Sequence, residues 1–147
     1  MKPLPITWKR LVKEGETCQR CGSTQQNVVS AIAKLEAALQ PLGIQPLLET
    51  LVIDDATFRA DPSESNRIWI GGKPMEEWLG ARVGKSPCCT VCGDLPCRTM
   101  EVGGSTYETI PEDLIVRAAL VAASGMIEPT ASPAQSSACC SQSCACK

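Results

Sequence analysis

The chain has no histidine, few aromatic side chains and no long apolar run. Its 147 residues include 3 Trp, 1 Tyr and 1 Phe. Without imidazole there can be no Ser-His-Asp or Cys-His nucleophile system and no His-ligated zinc enzyme. No stretch approaches the roughly 18 apolar residues of a transmembrane helix, and the first ten residues lack the apolar segment of a secretory signal. A net charge of -2 argues against a nucleic-acid-binding surface. We therefore expect a cytoplasmic protein that binds neither membranes nor nucleic acids.

Cysteine is present in excess, with 10 residues. In a reducing compartment, so many thiols favour metal binding or redox chemistry over structural disulfides. They fall into three groups, which we consider separately. These are the pair Cys18 and Cys21, the loop group Cys88, Cys89, Cys92 and Cys97, and the C-terminal group Cys139, Cys140, Cys144 and Cys146.

The first half of the chain predicts a β-α-β unit. Residues 6–12 have strand composition, and residues 45–53 form a second strand that ends at Asp54-Asp55. Between them, apolar residues with helical spacing predict a helix from about residue 23 to 39, capped by Ser23 or Thr24 and ended by Pro41-Leu42-Gly43. The C-x-x-C of Cys18 and Cys21 then lies at the turn from strand to helix.

The second half predicts smaller elements around a cysteine-rich insertion. After a polar connection (58–66) we expect a short strand (68–70) ended by Gly71-Gly72, a helical turn (75–79) and an inserted loop (about 84–98). Strands at 98–102 and 106–110 flank Gly103-Gly104 as a hairpin, and a last helix runs over 112–123. Residues 1–127 are predicted to form one domain. The Ser/Ala/Cys-rich residues 128–147 are expected to be a disordered tail.

This order of elements resembles the thioredoxin-like fold from about Ile6 to Ala123. Strand, C-x-x-C, helix, strand, hairpin and final helix follow one another as in that α/β fold. The resemblance implies a thiol-disulfide oxidoreductase in which Cys18 is the attacking thiol and Cys21 the resolving one. Ser65-Asn66-Arg67 stand where thioredoxin-like redox proteins usually carry a proline in cis. The chain is also similar to small prokaryotic cysteine-rich proteins grouped as a domain of unknown function, which implies nothing specific about chemistry.

Elementary chemistry of the first pair supports a redox interpretation and leaves one alternative open. The unpaired N–H groups and positive dipole end of a helix N-terminus stabilise a thiolate, and Arg20 between the cysteines adds a positive charge. A thiol three residues further on can resolve a mixed disulfide. In the alternative, Cys18-x-x-Cys21-Gly22 and Cys89-x-x-Cys92-Gly93 are two knuckles that hold one structural zinc.

The other two groups indicate contact with soft ions. Four thiols within residues 88–97 can hold one thiophilic ion or an iron–sulfur cluster, or form disulfides such as Cys88–Cys97 or Cys89–Cys92. Arg98 lies beside them and partly offsets thiolate charge. The C-C-x-x-x-C-x-C of the tail resembles metallothionein-type sequence and could pass an ion to the other two groups.

Two functions follow from these patterns. The first is thiol redox or soft-metal and metalloid handling, with a thiol-disulfide partner protein or a soft ion as the expected partner. The second is a non-catalytic zinc-stabilised binding module. No cofactor is required by the sequence, and zinc or another thiophilic ion is the one it favours.

Overall fold

The computed structural model describes residues 1–13, 15–87 and 95–129. The strands are β1 (Lys2–Leu11), β2 (Ile44–Ile53), β3 (Arg67–Ile70), β4 (Lys73–Pro74), β5 (Arg82–Ser86), β6 (Cys97–Val102) and β7 (Ser105–Tyr107). The α-helices are α1 (Gln19–Leu39), α2 (Asp55–Ala60), α3 (Met75–Leu79) and α4 (Glu112–Ser124), with single 3₁₀ turns at Gln40–Leu42 and Pro62–Glu64. Within the described residues the protein is mixed α/β, with two sheets and four α-helices.

The main sheet has the strand order β2-β1-β3-β4. β1 pairs parallel with β2 along its whole length and antiparallel with β3 over Ile6 to Lys9. Pro3 and Pro5 lie in β1 before the β3 pairing begins, where a missing N–H costs no bond on that side. Leu4, Ile6 and Trp8 alternate along β1 and are buried, so one face of the central strand lies in the core.

Helix α1 begins earlier than the capping residues suggest. Its N-cap is Cys18, in extended conformation and without a side-chain capping hydrogen bond. The prediction of a cap at Ser23 or Thr24 was wrong, since Thr24 is buried one turn into the helix. The inner face carries Cys21, Thr24, Val28, Ala31, Leu35 and Leu39. Because the helix starts at the C-x-x-C, both cysteines belong to its first turn and its cap.

A helix and a hairpin of the structure differ from the predicted elements. Helix α2 (Asp55–Ala60) overlaps the start of the polar connection predicted at 58–66, and its N-cap Asp54 accepts a hydrogen bond from the Thr57 N–H at 2.7 Å. The hairpin around Gly103-Gly104 is present, but it belongs to a second antiparallel sheet of order β5-β6-β7. The hairpin of the main sheet is β3–β4, around Gly71-Gly72.

The predicted last helix is present as α4, which packs against α1. Leu114, Ile115 and Ala118 face inward as expected, whereas Val121 is exposed and Ala122 takes its place. The expected tail beyond residue 129 lies outside the described residues. No helix in the described part of the chain is long and apolar enough to cross a membrane.

Candidate dithiol site

Cys18 and Cys21 lie at the junction between β1 and α1. β1 ends at Leu11, and Cys18 is the N-cap of the helix. The N–H of Gly22 donates to the Cys18 carbonyl at 3.0 Å, which closes the first helical turn. Both cysteines are thiols rather than half-cystines, and their side chains interact, since Cys18 raises the pKa of Cys21. The two sulfurs are therefore already adjacent, as a disulfide between them requires.

The surroundings of Cys21 keep its thiol protonated. The hydrogen bond with Cys18 is the largest cause that raises the pKa of Cys21, followed by burial and by negative charge on the Cys18 sulfur. The backbone of Leu11 and the hydroxyl of Thr17 lower that pKa to a smaller extent. Thr17 is itself held by its hydrogen bond to the Leu11 carbonyl at 2.9 Å. Cys21 therefore retains its proton, and Cys18 beside it lies at the N-terminus of the helix.

Arg20 connects the dithiol to the second sheet. Its Nη2 donates to Ser86 Oγ and to the Pro87 carbonyl, both at 2.7 Å, and lies 3.0 Å from Glu108 Oε1. Ser86 Oγ in turn donates to Glu108 Oε1 at 3.1 Å. The Arg20 side chain is 14% exposed, and its Nη1 is buried without a hydrogen-bond partner. The cation of Arg20, which lies between the two cysteines in sequence, is therefore fixed in place rather than solvated.

The segment that follows β7 runs beside α1 and holds it at further points. Thr24 Oγ1 accepts from the Ile110 N–H at 3.2 Å, and the side chain of Asn27 donates to the Ile110 carbonyl at 2.8 Å. One turn later Ser30 donates to Glu112 at 2.7 Å. These contacts occur about once per turn of α1, so the helix that carries the dithiol is fixed along its first half.

Cys97 is the third described cysteine, and it is disulfide-bonded. It opens β6, and its register partner in β5 is Ser86, the residue that Arg20 contacts. Cys97 is buried, as are Cys18 and Cys21, and all three belong to one continuous core.

Arg98, the other predicted supporting residue, has its own partners. It donates to the Ser63 carbonyl at 2.9 Å and forms a buried ion pair with Glu76. Side chains alternate along a strand, so Arg98 points to the face of β6 opposite to Cys97. Its charge joins the second sheet to α3 and to the 3₁₀ turn at Pro62–Glu64.

The remaining predicted ligands lie outside the described residues. These are Cys88, Cys89 and Cys92 of the loop and Cys139, Cys140, Cys144 and Cys146 of the tail. Across residues 1–13, 15–87 and 95–129, no group of three or more His, Cys, Asp or Glu side chains could hold a metal ion. Cys18 and Cys21 are thus two sulfur donors without a third described ligand.

Sequence reasoning missed three polar residues around the dithiol. Sequence patterns did not assign Thr17 to the site, and they did not connect Ser86 and Glu108 with Arg20. Ser86 is 66 positions from Arg20 in the sequence. No local pattern joins residues so far apart, because the pairing depends on where the second sheet docks.

Fold and site together define a mixed α/β protein with a buried dithiol at a helix start. Residues 4–119 match the family described as Domain of unknown function (DUF2703), and the chain belongs to that family. An uncharacterized protein of Archaeoglobus fulgidus is 40% identical over 112 residues, which cover 76% of this chain and 82% of that protein. No solved structure matches the chain. The expected similarity to a family of unknown function is thereby confirmed, and it leaves the chemistry to be argued from the site.

Proposed function

We propose that this protein is a thioredoxin-like thiol-disulfide exchange protein that uses Cys18 and Cys21. The observation that carries the proposal is the pair of thiols in the cap and first turn of α1. The N–H groups at the start of α1 favour a thiolate at its N-cap residue Cys18. Cys21 holds its proton and is one helical turn away. This is the division of roles that an attacking and a resolving thiol need.

The topology of the main sheet gives independent support. A parallel β1-α1-β2 unit, followed by an antiparallel β3–β4 hairpin and a helix, has the strand order β2-β1-β3-β4. This arrangement is typical of thioredoxin-like domains, which carry C-x-x-C between β1 and α1. One position departs from that pattern. Asn66 precedes β3 with a φ of 56° and accepts a hydrogen bond from the Trp8 indole N–H at 3.1 Å, and the described residues contain no cis peptide bond.

The exchange step follows from the two thiols. The Cys18 thiolate attacks one sulfur of a disulfide, forming a mixed disulfide and releasing the other sulfur as a thiolate, which takes up a proton. Cys21 then loses its proton and attacks Cys18. The Cys18–Cys21 disulfide forms, and the second substrate sulfur leaves as a thiol. The substrate disulfide gains two electrons, and the dithiol loses two.

The burial of both thiols restricts which disulfides can react. Cys18 is 3% exposed and Cys21 2% exposed. A disulfide on a protein surface cannot approach a sulfur that is so little exposed to solvent. A small-molecule disulfide needs a smaller opening in the structure to reach it. We therefore choose glutathione as the probe for the test.

The experiment equilibrates the full-length reduced protein in glutathione redox buffers under anaerobic conditions. After acid quenching and alkylation, peptide mass spectrometry measures the Cys18–Cys21 disulfide. We expect a reversible two-electron transition that is lost in Cys18→Ser and in Cys21→Ser. The exposed position Gln26 of the same helix provides the control Gln26→Ala, which should keep it. Wild-type protein that stays reduced at Cys18 and Cys21 in oxidised glutathione would refute the proposal.

Soft-metal handling is a second candidate, favoured by the same adjacent sulfurs. Copper(I) and mercury(II) are thiophilic and can be held by two thiolates, so the pair needs no third ligand for them. Zinc prefers four ligands, and the two further cysteines it needs, Cys89 and Cys92, lie outside the described residues. Native mass spectrometry after anaerobic purification separates these alternatives. Stoichiometric zinc that protects Cys18 and Cys21 from alkylation supports the zinc-stabilised module and argues against exchange.

A further inference from the structure

We infer that the outer edge of β2 is a pairing surface for a second copy of this chain, with the two β2 strands antiparallel across a two-fold axis at Thr50. β2 is the first strand in the order β2-β1-β3-β4, so its outer side has no neighbouring strand among the described residues. A long open edge presents a row of backbone N–H and C=O groups to which another strand can bind. β2 has 10 residues. The inference concerns a surface other than the dithiol and does not depend on the proposed function.

The pairing of β2 with β1 determines which backbone groups point outward. The Ile53 carbonyl accepts from the Val12 N–H at 3.2 Å, so Ile53 and the other odd-numbered residues of β2 direct their N–H and C=O groups toward β1. Successive residues of a strand alternate, so the even-numbered residues direct these groups away from β1. Pro46 is even-numbered and has no N–H to offer. The outward donors that follow it are the N–H groups of Leu48, Thr50 and Val52.

The side chains of β2 suit a buried strand better than an edge. Glu49 is the single charged residue of the strand. Large apolar side chains that are 38–59% exposed lie on both faces of the sheet, and they are Leu47, Leu48, Leu51 and Val52. Open edges usually carry several charged side chains that prevent pairing with another chain. This edge lacks that protection, and pairing would remove apolar surface from water on both faces at once.

The three outward donors pair among themselves in one two-fold register. With the axis at Thr50, this residue lies opposite Thr50 of the second copy, and Leu48 of each copy lies opposite Val52 of the other. Each of the three N–H groups then meets a carbonyl of the second copy. Any other axis position places at least one of the three opposite a residue outside this set. Pro46 lies beyond the three pairs, at a position where a missing N–H is tolerated.

Charge favours the same register over the adjacent one. An axis at Glu49 would place two carboxylates directly opposite, which is destabilising. With the axis at Thr50, Glu49 lies opposite Leu51 of the second copy, whose partner on β1 is Lys9. Glu49 and that Lys9 are then two strands apart, about 10 Å at Cα and within about one Debye length. Lys9 keeps its ion pair with Glu64 at 2.8 Å, so the attraction between copies acts without a direct contact.

Sedimentation velocity of the full-length protein tests the pairing. The protein is kept reduced and anaerobic, so that no disulfide joins two copies, and is measured from about 1 to about 500 μM. We expect a dimer that dissociates on dilution. Thr50→Pro removes the central N–H of each copy but no hydrogen bond to β1, and should raise the dissociation constant at least about tenfold. Thr50→Val keeps this N–H and is the matched control, which should still dimerise. Wild type that is monomeric throughout, or Thr50→Pro that dimerises like Thr50→Val, overturns the inference.

Amide hydrogen exchange of the wild type locates the interface and covers the case in which Thr50→Pro does not fold. We expect the protection of the Leu48, Thr50 and Val52 amides to rise with protein concentration. The amides of β2 that bond to β1 should be protected at every concentration. A dimer that leaves the three amides unprotected uses another surface and overturns the inference. A monomer in which they are protected also overturns it, because another segment of the same chain then covers β2. Oxidation of the dithiol by glutathione is measured separately, so neither result decides the proposed function.

Discussion

Replacing Arg20 tests whether the second sheet is held to the dithiol helix by one guanidinium. In Arg20→Ala the contacts to Ser86, Pro87 and Glu108 are lost together. A hydrogen bond to a charged group contributes about 1.5–3 kcal/mol when both partners are buried. The loss here is smaller than the sum of such bonds, because Glu108 is 58% exposed and water replaces the guanidinium there. Ser86 also keeps Glu108 as a partner.

Removing Arg20 also removes a destabilising contribution to the folded state, because its Nη1 is buried without a hydrogen-bond partner. We therefore expect the free energy of unfolding to fall by about 2 kcal/mol in Arg20→Ala. Arg20→Lys should recover only part of this, because the lysine ammonium is one bond closer to the backbone than Nη2, the atom that makes all three contacts. Urea denaturation of the reduced proteins, monitored by circular dichroism, gives the free energies.

The same variants report on the thiols. If the second sheet loosens locally, iodoacetamide should modify Cys18 faster in Arg20→Ala than in wild type under native conditions. Lys34→Ala is a suitable control, because Lys34 pairs with Glu112 at an exposed position of the same helix. Lys34→Ala should change neither the free energy of unfolding nor the alkylation rate of Cys18 measurably. Equal stability and equal alkylation rates in Arg20→Ala and Lys34→Ala would show that Arg20 does not anchor the sheet.

Two further predictions concern the buried groups of α1. The raised pKa of Cys21 means that the folded state keeps a proton that the unfolded state loses above about pH 8.5. This contribution to stability is complete below that pH and falls by up to about 1.4 kcal/mol per pH unit above it. Urea titrations between pH 7 and 10 should therefore show a steeper loss in wild type than in Cys21→Ala, and parallel curves would contradict the assignment. Thr24→Val leaves the Ile110 N–H without its acceptor and should cost about 1–3 kcal/mol, whereas Thr24→Ser keeps the hydroxyl and should cost less. Equal losses in these two variants, measured by urea denaturation, would exclude a role for the hydroxyl.

The sequence predicted the elements whose signals are local. β1 and β2 follow from strand composition and α1 from the helical spacing of its apolar residues, and Gly71-Gly72 and Gly103-Gly104 mark the β3–β4 and β6–β7 turns. The start of α1 was misjudged because Ser and Thr cap helices better than Cys does. Thr24 instead meets Ile110, which is 86 positions away in sequence. A preference measured over a few residues cannot include a partner at that distance.

The second sheet was only half recognised for a related reason. β6 and β7 flank a clear glycine turn, but β5 has a single apolar residue, Val83, and Gly84 in its middle. Its strand conformation comes from pairing with β6, where Gly84 lies opposite Thr99. A Cβ at Gly84 would come within 2.6 Å of Thr99 Oγ1, so the close approach of the two strands depends on that glycine. The sequence alone did not show this need.

The reactive residues of the site were easier to predict from the sequence than the residues that surround them. The position of Cys18 and Cys21 at a strand-to-helix junction followed from their place in the sequence, as did the nearby charge of Arg20. Their burial did not, because it depends on how the rest of the chain packs over α1. Glu108 and Ser86 carry no local signal that would assign them to the dithiol.

The hydrogen bonds along the first half of α1 have a consequence for the newly made chain. Arg20, Thr24 and Asn27 are joined to residues that follow them by 66, 86 and 83 positions. During synthesis both thiols leave the ribosome long before these partners exist. Until residue 110 has emerged from the ribosome, these hydrogen bonds cannot all form, and the two thiols are exposed to oxidants and to other nascent thiols.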